Sequence, residues 1–163
     1  MDRKPPPKTA SLPRRPLALP DATRKQTGDA SEYLIAGMMT LAGMPTMVMP
    51  DSWPDYDLTA QPPAHGKPQR INLKSRRERD AHKPSFMLKP GDWDWLAVVW
   101  ILEGNERPRC WLIPREVVLP GSEPYGWGDR LVTWRKLNGI YRDFEDNFTL
   151  RHEGHHGGRV RKG

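Results

Sequence analysis

Asp55-Tyr56-Asp57-Leu58-Thr59-Ala60, a loop carrying Pro62, Pro63, Gly66 and Pro68, and then Arg70-Ile71-Asn72-Leu73-Lys74-Ser75-Arg76-Arg77 form the stretch on which the fold turns. Two short alternating segments separated by turn chemistry predict neighbouring strands. On the first, alternation puts Tyr56, Leu58 and Ala60 on one face and Asp55, Asp57 and Thr59 on the other. On the second, Ile71 and Leu73 share one face while Asn72, Lys74 and Arg76 share the opposite one. A carboxylate on one strand beside an amide and a lysine on the next makes a poor core. It makes a reasonable seat for a divalent cation and a water molecule. The plainer alternative is a cross-strand ion pair of Asp57 with Lys74, worth about 0.2–1 kcal/mol.

Charge is distributed in a way that bears on this pair. The chain of 163 residues carries a net +6. Residues 1–27 hold seven Lys/Arg against two acids, and residues 151–163 hold four against one. The middle, 28–150, is left slightly acidic. Within it, residues 28–66 contain five acids and no Lys or Arg, whereas 67–89 contain eight bases and two acids. A carboxylate-only segment therefore runs directly into a basic one, as metal beside phosphate would want. Charge runs are more often solvated surface, but here the change of sign coincides with the strand pair.

Working outward, residues 1–27 are rich in proline and Lys/Arg and poor in apolar residues, which predicts a flexible basic arm. Such an arm could touch a nucleic-acid backbone or serve only for solubility. Gly28-Asp29-Ala30-Ser31-Glu32 is expected to open the folded part. A helix is predicted over Ala30 to Leu41, with Asp29 as N-cap, Glu32 in its first turn and Gly43 as its stop. Thr46-Met47-Val48-Met49 reads as a short strand, and the cluster of Met38, Met39, Met44, Met47 and Met49 as core filling. Glu78 to Pro90 reads as an exposed connection. Trp93 to Leu102 is the most apolar stretch in the chain and reads as a central strand buried on both faces. Arg109 to Ile113 is its hairpin partner. A short strand at Leu131–Trp134 and a closing helix over Tyr141–Phe148 complete the pattern, which predicts an α/β sandwich.

Other features bound the function. The one cysteine, Cys110, cannot close an intramolecular disulfide, and no apolar run approaches 18 residues, so a soluble cytoplasmic protein without membrane contact is expected. Of the seven Trp, most should pack in the core. Trp53 and Trp127, in loops beside Pro and Gly, are the candidates for contact with unpaired bases. His152, His155 and His156 in the Gly-rich tail lack the cysteine or carboxylate partners of a transition-metal site.

With these pieces in order, the chain resembles the PD-(D/E)XK nuclease superfamily, the restriction-endonuclease-like fold. It is most similar to the branch of Holliday-junction resolvases and intron-associated endonucleases. The likeness rests on the acid-bearing helix (Glu32), the strand after Gly43, Asp57 in Tyr-Asp-Leu, the Asn72-Leu73-Lys74 strand, and Asp94 at the mouth of the apolar strand. Where the family usually has Asp or Glu two residues before the lysine, this chain has Asn72. An amide oxygen can ligate Mg²⁺ but brings no charge. The resemblance implies an α/β sandwich with a central mixed sheet flanked by helices over 28–150, between the arm of 1–27 and a basic tail of 151–163. It implies metal-dependent phosphodiester hydrolysis on DNA, with branched or junction DNA among the substrates to be expected. Catalysis would fall to Glu32, Asp57, Asn72 and Lys74, and Mg²⁺ or Mn²⁺ would be held by Asp57, Asn72, the Leu73 carbonyl and Glu32. Arg70, Arg76, Arg77 and Arg79 would contact the DNA backbone, and a homodimer would reach both strands. The alternatives are a nuclease fold that has lost catalysis and serves as a DNA-binding or assembly module, and an interaction protein whose Pro-rich arm docks in a partner's groove.

Overall fold

The structure is a computed structural model and describes residues 22–62, 66–81, 83–104 and 106–154. Its centre is a five-stranded mixed sheet in the order β1-β2-β3-β5-β6, built from β1 (Thr46–Val48), β2 (Leu58–Ala60), β3 (Gln69–Arg77), β5 (Trp95–Ile101) and β6 (Arg109–Pro114). β3 and β5 run parallel, and every other neighbouring pair is antiparallel. A second sheet joins β4 (Ser85–Leu88), β8 (Asp129–Thr133) and β7 (Glu123–Tyr125). Helix α1 (Arg24–Leu41) covers one face of the central sheet. The second sheet, the short helices α2 (Arg115–Gly121) and α3 (Trp134–Asn138), and the closing turns cover the other. This is the expected α/β sandwich.

β5 accounts for the two-sided core. Trp95, Ala97 and Val99 pack towards α1 with Ile35, Met39, Ile71 and Leu73, while Leu96, Val98 and Trp100 pack towards Phe86, Val118 and Val132. A strand buried on both faces needs a continuous apolar run, and this one has it. Cys110, on β6, is buried and its thiol is pushed up to about 12 by that burial, so it is chemically quiet. No helix among the described residues is long and apolar enough to cross a membrane.

Several elements differ from the sequence expectation. Helix α1 begins at Arg24 rather than Ala30. Its cap is Thr23, whose hydroxyl accepts from the Gln26 N–H at 3.2 Å while the Gln26 side chain accepts from the Thr23 N–H at 2.8 Å. That reciprocal pair satisfies two donors at once, so Asp29 is not needed as a cap. Asp29 instead pairs with Lys25 one turn away. The last four residues of the anticipated arm thus belong to the helix, and residues 1–21 lie outside the described ones. At the other end, Gly43 adopts φ +87°, and Met44 N–H bonds to the Met39 carbonyl, the αL stop that glycine makes cheap.

The segment Glu78–Pro90 is not merely an exposed connection. It holds one 3₁₀ turn (Glu78–Asp80) and β4, whose Phe86 and Leu88 are buried. The predicted closing helix over Tyr141–Phe148 is a single 3₁₀ turn, Arg142–Phe144. Asp146 at φ +56° breaks it, and the Asn147 amide donates to the carbonyls of Leu112 and Arg151. Tyr141, Phe144 and Phe148 are buried as anticipated, though without helical spacing to put them there. The anticipated tail begins in packed structure. Arg151 is bonded to Asn147, and His152 pairs with Glu116 and lies edge-on to Trp95. His155 and His156 lie outside the described residues.

Candidate active site

The predicted site gathers where β2 stops short of β3. β2 pairs with β3 only as far as Leu58 opposite Ile71, so the rest of β3 has a free edge on that side. Backbone groups on a strand alternate direction. The Ile71 carbonyl accepts from Asp57 N–H at 2.9 Å, and Leu73 N–H donates to the Asp57 carboxylate at 2.5 Å. The Leu73 carbonyl therefore faces the same open edge as Asp57. On the β5 side, the Arg70 carbonyl accepts from Asp94 N–H at 2.8 Å.

Asp57 is thus not a paired strand residue, as the alternation had implied. The chain reaches β2 through Asp55 in the left-handed region (φ +71°), a conformation Asp tolerates better than most. The turn places Tyr56 against the core on the far side of the sheet, while Leu58 and Ala60 pack towards α1. The Asn72 amide fastens the turn by donating to the Asp55 carbonyl at 2.9 Å. With its nitrogen so used, the amide oxygen of Asn72 is the atom left for a ligand.

A cleft of about 730 Å³ opens on the face of β3 that carries Asn72 and Lys74, with Asp55, Asp57 and Arg76 on its wall. Its opposite wall comes from β4 and the following loop, through Met87, Lys89, Pro90 and Gly91. A smaller cleft continues past Asp57 to Asp29, Glu32 and Asp51. Asp57 and Trp53 line both, so Asp57 stands where Glu32 from α1 and the pair Asn72 and Lys74 from β3 meet. Asn72 and Lys74 share the larger cleft with Asp57, and Glu32 shares the smaller one with Asp57; Glu32 does not line the cleft of Asn72 and Lys74. Among the described residues Lys74 has no hydrogen bond or ion pair, and it does not reach Asp57 within 4.0 Å. The cross-strand ion pair is therefore not formed.

Glu32 lies two turns into α1 rather than at its start, so the helix dipole does not account for it. Its carboxyl is held above the usual glutamate range, first by partial burial and then by the charges of Asp57, Asp29 and Asp51. A raised carboxyl binds its proton more tightly folded than unfolded, so its ionised form costs stability at neutral pH and that cost fades as pH falls through the folded value. Glu32→Gln should accordingly raise the melting temperature of the ion-free protein at pH 7 and have little effect near pH 4. Thermal unfolding at the two pH values checks this, and a lower melting temperature for the variant at pH 7 would contradict the repulsion.

The donor set suits a hard divalent cation: two carboxylates (Glu32, Asp57), an amide oxygen (Asn72) and a backbone carbonyl (Leu73) at an unpaired strand edge. Among the described residues no group of three His, Cys, Asp or Glu is placed to hold a metal ion. Lys25 bridges Asp29 and Asp51 at 3.1 Å to each, which removes those two acids from the count.

The basic residues divide. Arg70 is saturated by two bonds from its guanidinium to the Asp94 carboxylate, at 3.0 and 2.9 Å, and by Asp92. The partnership holds Asp94 below the usual carboxylate range. Arg70 thus pins β3 to the mouth of β5, and its guanidinium is occupied by these carboxylates rather than open to the phosphate that the sequence had suggested. Arg77 is tied to Asp80 and to the Ala22 carbonyl. Arg76 is exposed on the cleft wall, making one long bond to the Ser85 carbonyl, and Arg79 is exposed on the following turn. Two cleft residues were missed. Lys89 lay in the segment read as a connection, although the alternation of Ser85 and Met87 with Phe86 and Leu88 was there to find. Arg24 lay in the anticipated arm.

Fold and site together define an α/β chain of nuclease-like architecture. Its structure is similar to that of a bacterial homing endonuclease, I-Ssp6803I, with a TM-score of 0.56 at 15% identity, over 82% of this chain and 94% of the other. Comparisons with protein-family models and with curated protein sequences find no match.

Proposed function

We propose that the chain is a divalent-metal-dependent DNA endonuclease of the PD-(D/E)XK type, hydrolysing phosphodiester bonds with Glu32, Asp57, Asn72 and Lys74. The observation that supports this is Asp57 at the free edge of β3, lining one cleft with Asn72 and the unpaired Lys74 and an adjoining cleft with Glu32. The likeness of fold to a homing endonuclease supports it.

Asp57, Glu32, the Asn72 amide oxygen and the Leu73 carbonyl would hold Mg²⁺ or Mn²⁺. Such an ion supplies polarisation of a phosphate oxygen and acidification of water. The remaining work falls to the chain. Lys74 neutralises charge that grows on the non-bridging oxygens as the water oxygen bonds to phosphorus and the bond to the leaving sugar oxygen breaks. Glu32, where it does not itself ligate the ion, would orient the attacking water from the helix. Arg76, Arg79 and Lys89 contact phosphates, which positions the strand without reading sequence. A homodimer is the simplest way to present one such site to each strand.

One observation favours the reading of a non-cutting DNA-binding module. Asn72 brings an oxygen but no charge, so the negative charge holding the ion would come from two carboxylates alone. Incubation of supercoiled, branched and linear DNA with Mg²⁺ or Mn²⁺ separates the two. Nicking or linearisation is expected. Salt-dependent binding without cleavage under either ion would replace the endonuclease with the module.

A further inference from the structure

Trp127 is fully exposed, at 103% of its reference area, whereas Trp93, Trp95, Trp100 and Trp111 are buried. A single exposed aromatic is ordinary on a protein surface, so what marks this one is where the chain holds it. The geometry here is specific. Trp127 is the apex of the β7–β8 hairpin, flanked by Gly126 at φ +61° and Gly128 at φ +91°, with the Gly128 N–H bonded back to the Gly126 carbonyl at 2.8 Å. Two glycines in the left-handed region close a three-residue turn that lifts the central side chain clear of the sheet.

The turn stands beside the candidate cleft. β4 pairs with β8 up to Leu88 opposite Arg130, so Lys89 and Pro90 continue alongside Asp129 and Gly128. A Cβ on Gly128 would lie 3.8 Å from the Pro90 ring. Lys89, Pro90 and Gly91 form the cleft wall opposite Asn72 and Lys74. The hairpin apex is therefore at the rim of that wall.

We propose that Trp127 is a nucleic-acid contact that stacks its indole on the bases of DNA lying in the cleft. This rests on the DNA-binding reading above and adds to it a contact that is not made through phosphate. Arg24, Lys74, Arg76 and Lys89 give the cleft walls the charge to hold a phosphate backbone, and a flat ring at the rim of such a groove can stack on a base that is unpaired or unstacked there. One indole on a tight turn offers far less than the roughly 800 Å² per partner that a protein interface needs. It matches a single base step.

The test is the affinity of wild type, Trp127→Ala and Trp127→Phe for fluorescein-labelled duplex and branched DNA, measured by anisotropy in Ca²⁺ over a range of salt. Trp127→Ala should bind the branched DNA, where bases at the junction can unstack, about tenfold more weakly, and Trp127→Phe should recover most of the loss. The slope of log affinity against log salt should be the same for all three, because no phosphate contact is removed. The melting temperature should not change, since the ring packs on nothing. An alanine variant that binds within twofold of wild type, or one whose salt slope falls, would overturn the inference while leaving the cleft as a DNA site. A wild-type protein that binds neither DNA would remove the DNA-binding reading and this contact with it.

Discussion

Asp57→Asn should lower single-turnover cleavage of DNA in Mg²⁺ by at least about 10²–10³, the cost of removing one charged group from a site of this kind, about 3–4 kcal/mol. The choice of asparagine matters. One Asp57 oxygen accepts the Leu73 N–H, the donor left exposed where β2 ends. Alanine would orphan that N–H, at about 1–3 kcal/mol, and a loss of activity could then be a loss of fold. Asparagine keeps an acceptor and removes the charge that, with Glu32, attracts a cation. It also lifts one of the charges that raise the Glu32 carboxyl, so ion-free Asp57→Asn should melt no lower than wild type. DNA affinity should hold, because the backbone contacts lie on other residues. A variant that cuts within a few-fold of wild type would show that Asp57 serves only to cap the strand edge.

How much of this could be read from sequence depended on whether each signal was local. The run from Trp95 to Ile101 and its return over Arg109–Pro114 are legible because burial on both faces demands an uninterrupted apolar stretch. Gly43 is legible because the αL stop of a helix has a strong preference for glycine. The start of α1 is not. The buried positions in its first turns are Thr27 and Ser31, whose hydroxyls donate to carbonyls four residues back at 2.9 and 2.7 Å. Polar side chains satisfied inside their own helix look like surface to any reading based on hydrophobic period. The missed turns moved Glu32 from the start of the helix to its middle, and with it the explanation of that acid from dipole to site.

The candidate site was legible in composition and illegible in construction. The order acid, acid, amide, lysine could be read along the chain, and Asp57 borders both the cleft of Asn72 and Lys74 and that of Glu32. That Asp57 sits off the strand could not be read, because it follows from Asp55 taking a left-handed conformation that the Asn72 amide then fastens. Nor could the Arg70 partnership, which joins residues 24 positions apart. A guanidinium next to a nuclease-like motif looks like a phosphate ligand until Asp92 and Asp94 are seen to occupy it.

Lys74→Met should reduce cleavage by about 10²–10³ with DNA affinity little changed. The side chain is partly buried on the cleft wall, and its ammonium has no partner among the described residues. Methionine preserves the apolar stem, and no carboxylate is left without its counter-charge, so the melting temperature should stay level or rise. That pattern, rate lost and stability kept, is what a group reserved for a charge absent from the free protein would give. Arg76→Met supplies the contrast: a phosphate contact removed should weaken binding across sequences and lower the salt slope by about one, with a smaller effect on the rate from the bound state. Paired measurements of single-turnover rate and salt-dependent affinity on both variants decide the matter. If Lys74→Met weakens binding as Arg76→Met does and cuts normally once bound, Lys74 belongs with the arginines as a backbone contact, and the reaction must find its positive charge elsewhere.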